Sequence, residues 1–294
     1  MYPIVDLPPE SRLDTEQLGS KPKFWVQRGN DRWLFKEARP NTGEDWAEKA
    51  AAEIAHAIGV ASAEIELAQF GARRGCISRN FIAVGQGEAL VHGNEVLALR
   101  VTGYDKTKRF RQQDHTLENI QQAIRELFPG DMAEGMLTQL AGYLVLDGLI
   151  GNTDRHHENW GLRVRVVAKE RSVQLSVAPS FDHASSLGRE LLDTRRMEVL
   201  AEGRVGYYVT QGRGGVFRDA AQRRGENPLR LVQVAARAYP AYFRPALERV
   251  AALQNHIVHA VFESIPPERA SDTARDFAVQ AVLYAKATLT DIFK

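Results

Sequence analysis

Two carboxylates and one amide dominate the chemistry that this sequence offers. Asp154 and Asn159 stand five positions apart in the polar run 151–160, GNTDRHHENW, and Asp182 follows in the run 178–184, APSFDHA. Phosphoryl transfer requires divalent cations that bridge the phosphates and a group that orients the attacking hydroxyl. Asn159 and Asp182 offer the oxygen ligands that Mg²⁺ prefers, which leaves Asp154 to accept or orient a hydroxyl proton. The set predicts Mg²⁺-dependent phosphoryl transfer.

A β-hairpin between the two polar runs is expected to bring them together. Alternating segments at 161–167 and 172–177 predict its strands, and a hairpin places its two ends side by side. The apolar run 136–150 precedes the first polar run and contains Gln139 and Asp147. It is short for a bilayer span and predicts a buried helix instead.

The N-terminal part of the chain predicts a small sheet with one helix. Strand-like runs at 23–28 and 32–36 flank a Gly/Asn/Asp turn that suits a hairpin. An apolar stripe on 43–58 predicts a helix, and strand-like runs follow at 64–70 and 75–81. Beyond this part the pattern is mostly helical. Further helices are predicted at 116–128, 131–150, 228–237, 241–263 and 271–293.

Composition restricts the class of protein. The 294 residues, 44% of them apolar and 26% charged, fit a globular enzyme of one or two domains. The net charge of +1 gives no general attraction to nucleic acid or to an anionic membrane. Cys76 is the single cysteine, which excludes a disulfide framework and a Cys-rich zinc site. The N-terminus does not match a signal peptide, so we expect a cytoplasmic location.

The spacing of Asp154 and Asn159 is that of the protein-kinase catalytic loop. With Arg155, His156 and Asp182, the loop resembles that of the HipA-like serine/threonine kinases, the kinase toxins of bacterial toxin–antitoxin modules. It is also similar to the Asp-Arg-His-x-x-Asn loop of phosphatidylinositol 3/4-kinases. The resemblance implies catalytic roles for Asp154, Arg155 and His156, metal binding by Asn159 and Asp182, and ATP and Mg²⁺ as cofactors.

The same resemblance implies a fold. It is an α+β, two-lobed protein-kinase-like fold, with a small β-rich N-lobe at 1–82 that holds one main helix and a larger, mainly helical C-lobe at 83–294. In the N-lobe, Lys36 matches the strand lysine that contacts the ATP phosphates, and Glu48 matches its ion-pair partner. The helical periodicity alone leaves Glu44 and Glu53 as equal candidates.

The run 18–23 resembles the phosphate-facing loop of the same kinases and assigns Gly19, Ser20 and Lys23 to nucleotide binding. Ser20 is the candidate for an inhibitory autophosphorylated serine. The loop has one glycine where protein kinases have Gly-x-Gly-x-x-Gly, and Asp182 is followed by His183 where they have glycine. The segment 77–82 matches the hinge against which adenine lies.

Partners follow from the resemblance alone. Relatives phosphorylate aminoacyl-tRNA synthetases, so we expect a translation-related protein substrate and a helix-turn-helix antitoxin, with no membrane association and no direct DNA binding. A phosphoinositide-type lipid kinase and a catalytically silent nucleotide-binding module are the alternatives.

The histidines of the catalytic loop offer a different kind of site. His156 and His157, with His183 nearby, suggest zinc, but no cysteine or further close histidine completes a tetrahedral set. His156 is instead expected to pack beneath the loop, and Arg155 to anchor either the loop or the segment after Asp182 through an ion pair.

Overall fold

Residues 1–15, 23–108, 111–167 and 171–293 are described by the computed structural model of the chain, and they form an α+β fold with two sheets and a helical body. The strands are β1 Ile4–Asp6, β2 Arg12–Thr15, β3 Lys23–Arg28, β4 Asp31–Glu37, β5 Ile65–Phe70, β6 Arg73–Arg79, β7 Glu88–His92, β8 Gly161–Val167 and β9 Ser172–Val177. The helices are α1 Glu44–Ala57, α2 Gly93–Ala98, α3 Leu117–Leu127, α4 Gly130–Ile150, α5 Asp193–Ala201, α6 Val205–Gln211, α7 Pro228–Ala238, α8 Pro240–Ala252, α9 Asn255–Glu263 and α10 Asp272–Thr290.

The N-terminal sheet has the strand order β1-β5-β6-β4-β3-β2, and only the β1–β5 pair is parallel. Side chains alternate across it, so Phe24, Trp33 and Phe35 are buried on one face. Lys36, next to Phe35 in β4, therefore lies on the opposite face, which is the face that meets α1. Its Cα partner in β3 is Lys23.

Helix α1 covers that face with the apolar stripe predicted from its periodicity. The stripe, which is fully buried, consists of Ala47, Ala50, Ala51, Ile54 and Ile58. Small side chains let the helix approach β5 and β6 closely, and its other neighbours are α4 and α9. Gly59, in a left-handed conformation at φ +62°, ends the helix as predicted.

Helix α4 is the centre of the C-terminal body and packs against α7, α8 and α10. Almost its entire second half is buried, which confirms the core helix predicted from the apolar run. The hairpin β8–β9 has the bounds expected from the sequence, and β7 adds a third strand to it. No helix of the described residues is long and apolar enough to cross a membrane.

Several elements differ from the sequence predictions. The single helical stretch predicted at 241–263 is wrong, because the chain is extended at Leu253 and Gln254 and separates α8 from α9. The side chain of Leu253 is buried, so packing interrupts a stretch that local periodicity would continue. Strands β1, β2 and β7 and helices α2, α5 and α6 were not predicted, since all are short and depend on tertiary contacts.

Gly75 controls how closely β6 approaches the strand that carries Lys36. A Cβ atom at Gly75 would lie 2.2 Å from the carbonyl oxygen of Lys36. We expect Gly75→Ala to lower the free energy of unfolding by about 1–3 kcal/mol, because two backbones must separate. Urea denaturation measures this change. Gly85→Ala is the control, since a Cβ there meets nothing within 4 Å. Equal midpoints for the two variants would contradict the prediction.

Candidate active site

A buried ion pair fixes the start of the predicted catalytic loop. Helix α4 ends at Gly151, in a left-handed conformation at φ +67°, one turn after the buried Asp147. Arg155 returns to this carboxylate with two hydrogen bonds, from Nε to Oδ2 at 2.7 Å and from Nη2 to Oδ1 at 2.8 Å. Asn152 donates from Nδ2 to the same Oδ1 at 2.8 Å. The bidentate pair ties the loop to the end of α4.

The same guanidinium reaches the segment that carries Asp182. Arg155 Nη1 donates to the carbonyl oxygens of Asn159 at 2.5 Å and Phe181 at 3.2 Å, and Nη2 donates to Ser180 Oγ at 2.9 Å. Burial opposes the charge, but Asp147 holds the pKa of Arg155 above its usual range. Arg155 therefore brings Asn159 and Asp182 into one region, although they are far apart in sequence.

The loop itself orients the amide of Asn159. Its Nδ2 donates to the carbonyl oxygen of Asp154 at 2.6 Å, and the N–H of Asp154 donates to Asn152 Oδ1 at 3.1 Å. The Oδ1 atom of Asn159 is then the atom of this amide that can face a cation. The Asp182 carboxylate offers a second oxygen donor, and donors of these two types fit Mg²⁺ when phosphate and water oxygens complete the shell.

Asp182 contacts the N-terminal sheet through Lys36. Lys36 Nζ lies 3.1 Å from Asp182 Oδ1 and 3.5 Å from Glu48 Oε1, and the N–H of His183 donates to that same Oε1 at 3.1 Å. Asp182 is in a left-handed conformation at φ +62°, which is uncommon for a residue with a side chain. Burial alone would lower the pKa of Lys36, but Asp182 and Glu48 raise it above its usual range.

The contacts distinguish the three candidate glutamates on α1. Glu48, which is fully buried, is the one beside Lys36. Glu44 pairs with Arg39 and Arg189, and Glu53 pairs with Lys49.

The remaining nucleotide-binding candidates are Lys23, Gly19 and Ser20, of which Lys23 belongs to the described residues. Lys23 stands opposite Lys36 in the antiparallel β3–β4 register, so both side chains leave the same face of the sheet. Gly19 and Ser20 lie outside the described residues.

The histidines are structural parts of the loop region. His156 is buried and accepts the N–H of Glu158 at its Nδ1, at 3.2 Å, in agreement with packing beneath the loop. His157 Nδ1 lies 2.8 Å from Tyr104 Oη. Within the described part of the chain, no three His, Cys, Asp or Glu side chains are grouped to hold a metal ion. His156, His157 and His183 therefore do not form the zinc site that the sequence alternative suggested.

Ser180 and Asp147 were not singled out from the sequence as site residues, and His183 was considered there only as a zinc ligand. Ser180 Oγ accepts from Arg155 Nη2 at 2.9 Å and lies within hydrogen-bond distance of His183 Nε2, at 2.7 Å. Asp147 could have been identified from the sequence, because it is a carboxylate inside a fifteen-residue apolar run. A buried charge requires a partner, so this position predicts a contact with a cation.

The fold and this arrangement define a protein of the two-lobed kinase class. The family of HipA-like C-terminal domains matches residues 16–241, and the chain belongs to this family, which confirms the resemblance of its catalytic loop.

Solved structures share the fold. The proinflammatory kinase CtkA of Helicobacter pylori has 17% identity and a TM-score of 0.76, with 99% of this chain and 96% of that chain covered. HipA of Shewanella oneidensis MR-1, solved with HipB and operator DNA, has 12% identity and a TM-score of 0.54, with 95% of this chain and 65% of that chain covered. Comparison with curated proteins gives no match.

Removal of the Arg155 side chain tests the anchoring role of the ion pair. We expect Arg155→Met to lower the free energy of unfolding by about 3–5 kcal/mol, because Asp147 is left buried without its cation. Equilibrium urea denaturation gives the value. Combining it with Asp147→Asn removes the stranded charge and is expected to recover part of the loss. A loss no larger than that of Arg195→Met, at an exposed ion pair, would refute the anchoring role.

Stability is also expected to depend on the charge state of His183. Burial, with the positive charges of Arg155 and Lys36 nearby, lowers the pKa of His183 to about 3, against about 6.5 in an unfolded chain. The unfolded chain therefore binds the extra proton first. The stabilisation that comes from neutral His183 is complete above about pH 6.5. Below that pH the free energy of unfolding falls by about 1.4 kcal/mol per pH unit, down to about pH 3.

The measurement is the free energy of unfolding between pH 7 and pH 4 for the wild type and for His183→Gln. The variant is expected to show a slope smaller by about one proton. Parallel curves would show that His183 is protonated equally in both states. His115, whose pKa burial also lowers to about 3, provides a second site for the same comparison through His115→Gln.

Proposed function

We propose that this chain is an ATP- and Mg²⁺-dependent serine/threonine protein kinase of the HipA-like type. The observation that carries the proposal is that the single guanidinium of Arg155 binds the carbonyl oxygens of Asn159 and of Phe181, the residue before Asp182. A second contact supports it, since Lys36 joins Asp182 to Glu48 and connects the two lobes. Membership of the HipA-like family agrees with both.

The residues would divide the chemistry as follows. Asn159 Oδ1 and the Asp182 carboxylate would hold Mg²⁺, which would neutralise negative charge on the phosphates. Asp154, placed at the start of the loop, would orient the acceptor hydroxyl and accept its proton. Arg155 and His156 would keep the loop in shape, as their burial suggests.

The nucleotide would lie between the lobes. Lys36 remains charged, since Asp182 and Glu48 raise its pKa, and it would contact the phosphates together with Lys23. Gly19 and Ser20 would complete the phosphate-facing loop, with Ser20 as a site of inhibitory autophosphorylation. We place the lobe boundary after Ile82, between β6, the last strand of the N-terminal sheet in sequence, and β7.

The biological role is proposed from relatives. HipA of Shewanella oneidensis is a component of a toxin–antitoxin system and was solved with HipB. By analogy, this chain would be a growth-inhibiting cytoplasmic toxin that phosphorylates a translation-related protein, such as an aminoacyl-tRNA synthetase, and a helix-turn-helix antitoxin would bind it.

Transfer of labelled phosphate from ATP tests the chemistry. We expect the wild type to label itself or a protein in a cell extract, and Asp154→Asn to reduce the rate by about 10²–10⁴-fold. Asp182→Asn is expected to abolish transfer through loss of an anionic metal ligand. Asp131→Asn, at an exposed aspartate in the first turn of α4, is the matched control and should retain wild-type turnover.

The same assay separates the alternatives. Label on phosphoinositide vesicles in place of protein would favour a lipid kinase. Tight ATP binding with no transfer, unchanged by Asp154→Asn, would favour a silent nucleotide-binding module. Wild-type turnover in Asp154→Asn or Asp182→Asn, with the fold verified by circular dichroism, would refute the assigned roles.

A further inference from the structure

The N-terminus of α1 is held by an arginine from the segment that follows Asp182. Arg189 Nη1 donates to Glu44 Oε1 at 2.6 Å, and the N–H of Gly43 donates to the carbonyl oxygen of Arg189 at 2.8 Å. Glu44 is buried and also accepts from the N–H of Arg39 at 3.1 Å. One main-chain and one charged contact therefore join Arg189 to the first turn of the helix.

The next residue of α1 makes a second contact with the C-lobe. Asp45 is buried and accepts from Arg269 Nη1 at 2.9 Å and from Arg74 Nη2 at 2.7 Å. Arg269 Nη2 also donates to the carbonyl oxygen of Ala68 in β5, at 3.1 Å. Adjacent carboxylates on α1 thus bind arginines from two separate parts of the C-lobe, which fixes the position of the helix end.

The segment that carries Arg189 is itself fixed to the catalytic loop. The N–H of Thr153 donates to the carbonyl oxygen of Ser185 at 3.1 Å, and the N–H of Leu187 donates to that of Ile150 at 3.0 Å. Gly188, at φ +69°, packs so tightly that a Cβ would lie 2.6 Å from the ring of Phe277. Arg189 therefore transmits the position of the loop to α1.

Glu48 lies one turn beyond Glu44 on α1, so the position of the helix end determines whether Glu48 reaches Lys36. Many kinases fix the corresponding segment with a phosphate that pairs with arginines. Here Arg189 on the segment and Glu44 on the helix make the corresponding contact between two side chains, without a phosphate.

We propose that Arg189 is a positioning residue that keeps α1, and with it Glu48, in contact with Lys36, so that no phosphate on the segment after Asp182 is needed for the active arrangement. The inference rests on the proposed function for its catalytic consequence. Its structural part, the protection of α1 by the Arg189–Glu44 pair, is independent of catalysis.

Hydrogen exchange of the α1 amides tests the structural part directly. We expect Arg189→Ala to speed exchange in residues 44–57 by about tenfold and Glu44→Gln to do so at least as much, since Glu44 also pairs with Arg39. The double variant is expected to match Glu44→Gln alone, because the Arg189–Glu44 pair is already absent there. Wild-type protein freed of phosphate by a phosphatase, as verified by intact mass, is expected to keep its full protection. Arg195→Ala, at an exposed pair with Glu198, is the control and should match the wild type.

Kinetics test the catalytic part. Arg189→Ala is expected to lower kcat about tenfold with a smaller change in the KM for ATP, and Arg189→Lys, which keeps the charge, to restore most of the turnover. Unchanged α1 exchange in Arg189→Ala, or loss of protection in the phosphate-free wild type, would overturn the proposal. Failure of the proposed function would differ, since the wild type would then transfer no phosphate while the exchange results stand.

Discussion

The buried pair of Arg155 and Asp147 connects the parts of this site that the sequence separates. Its guanidinium satisfies the only carboxylate in the buried half of α4 and uses its remaining N–H groups on the main chain of Asn159 and Phe181. A charge in such surroundings is tolerated only when its partners are complete. The end of α4, the predicted catalytic loop and the segment before Asp182 are therefore held in one arrangement. Displacing any of them would leave a buried charge without its hydrogen-bond partners and would lower the stability of the fold.

The N-terminal sheet meets this arrangement through the contact of Lys36 with Asp182 and Glu48. Three levels of structure position that contact. The alternation of side chains in β4 directs Lys36 toward α1. Gly75 allows β6 to pass close to the main chain of Lys36, and the alanine-rich face of α1 allows Glu48 to approach. The ion pairs of Glu44 and Asp45 then fix the helix from the C-lobe side. The candidate site between the two lobes is thus held by charged contacts in addition to the apolar clusters that both lobes share.

The local sequence pattern was sufficient to predict the longer, regular elements of the fold. The α1 stripe and the β8–β9 hairpin were predicted because their periodicity reports one buried face, and the buried α4 was predicted from its apolar run. Short elements such as β1, α5 and α6 carry too few residues for a period, and the break at Leu253 is set by packing. In the site, the spacing of Asp154 and Asn159 was informative, whereas the partner of Arg155 and the choice of Glu48 over Glu44 depend on contacts between distant residues. Sequence resemblance alone supplied Gly19 and Ser20.

Asn159 and Asp182 are proposed to bind one cation that a nucleoside triphosphate shares. The most direct measurement is a crystal structure of the protein grown with Mn²⁺ and a non-hydrolysable ATP analogue, with the metal located by its anomalous scattering. We predict one peak within ordinary coordination distance, about 2.0–2.3 Å, of both Asn159 Oδ1 and an Asp182 oxygen, with the triphosphate beside Lys36. A metal bound elsewhere, or a nucleotide outside the space between the lobes, would contradict it.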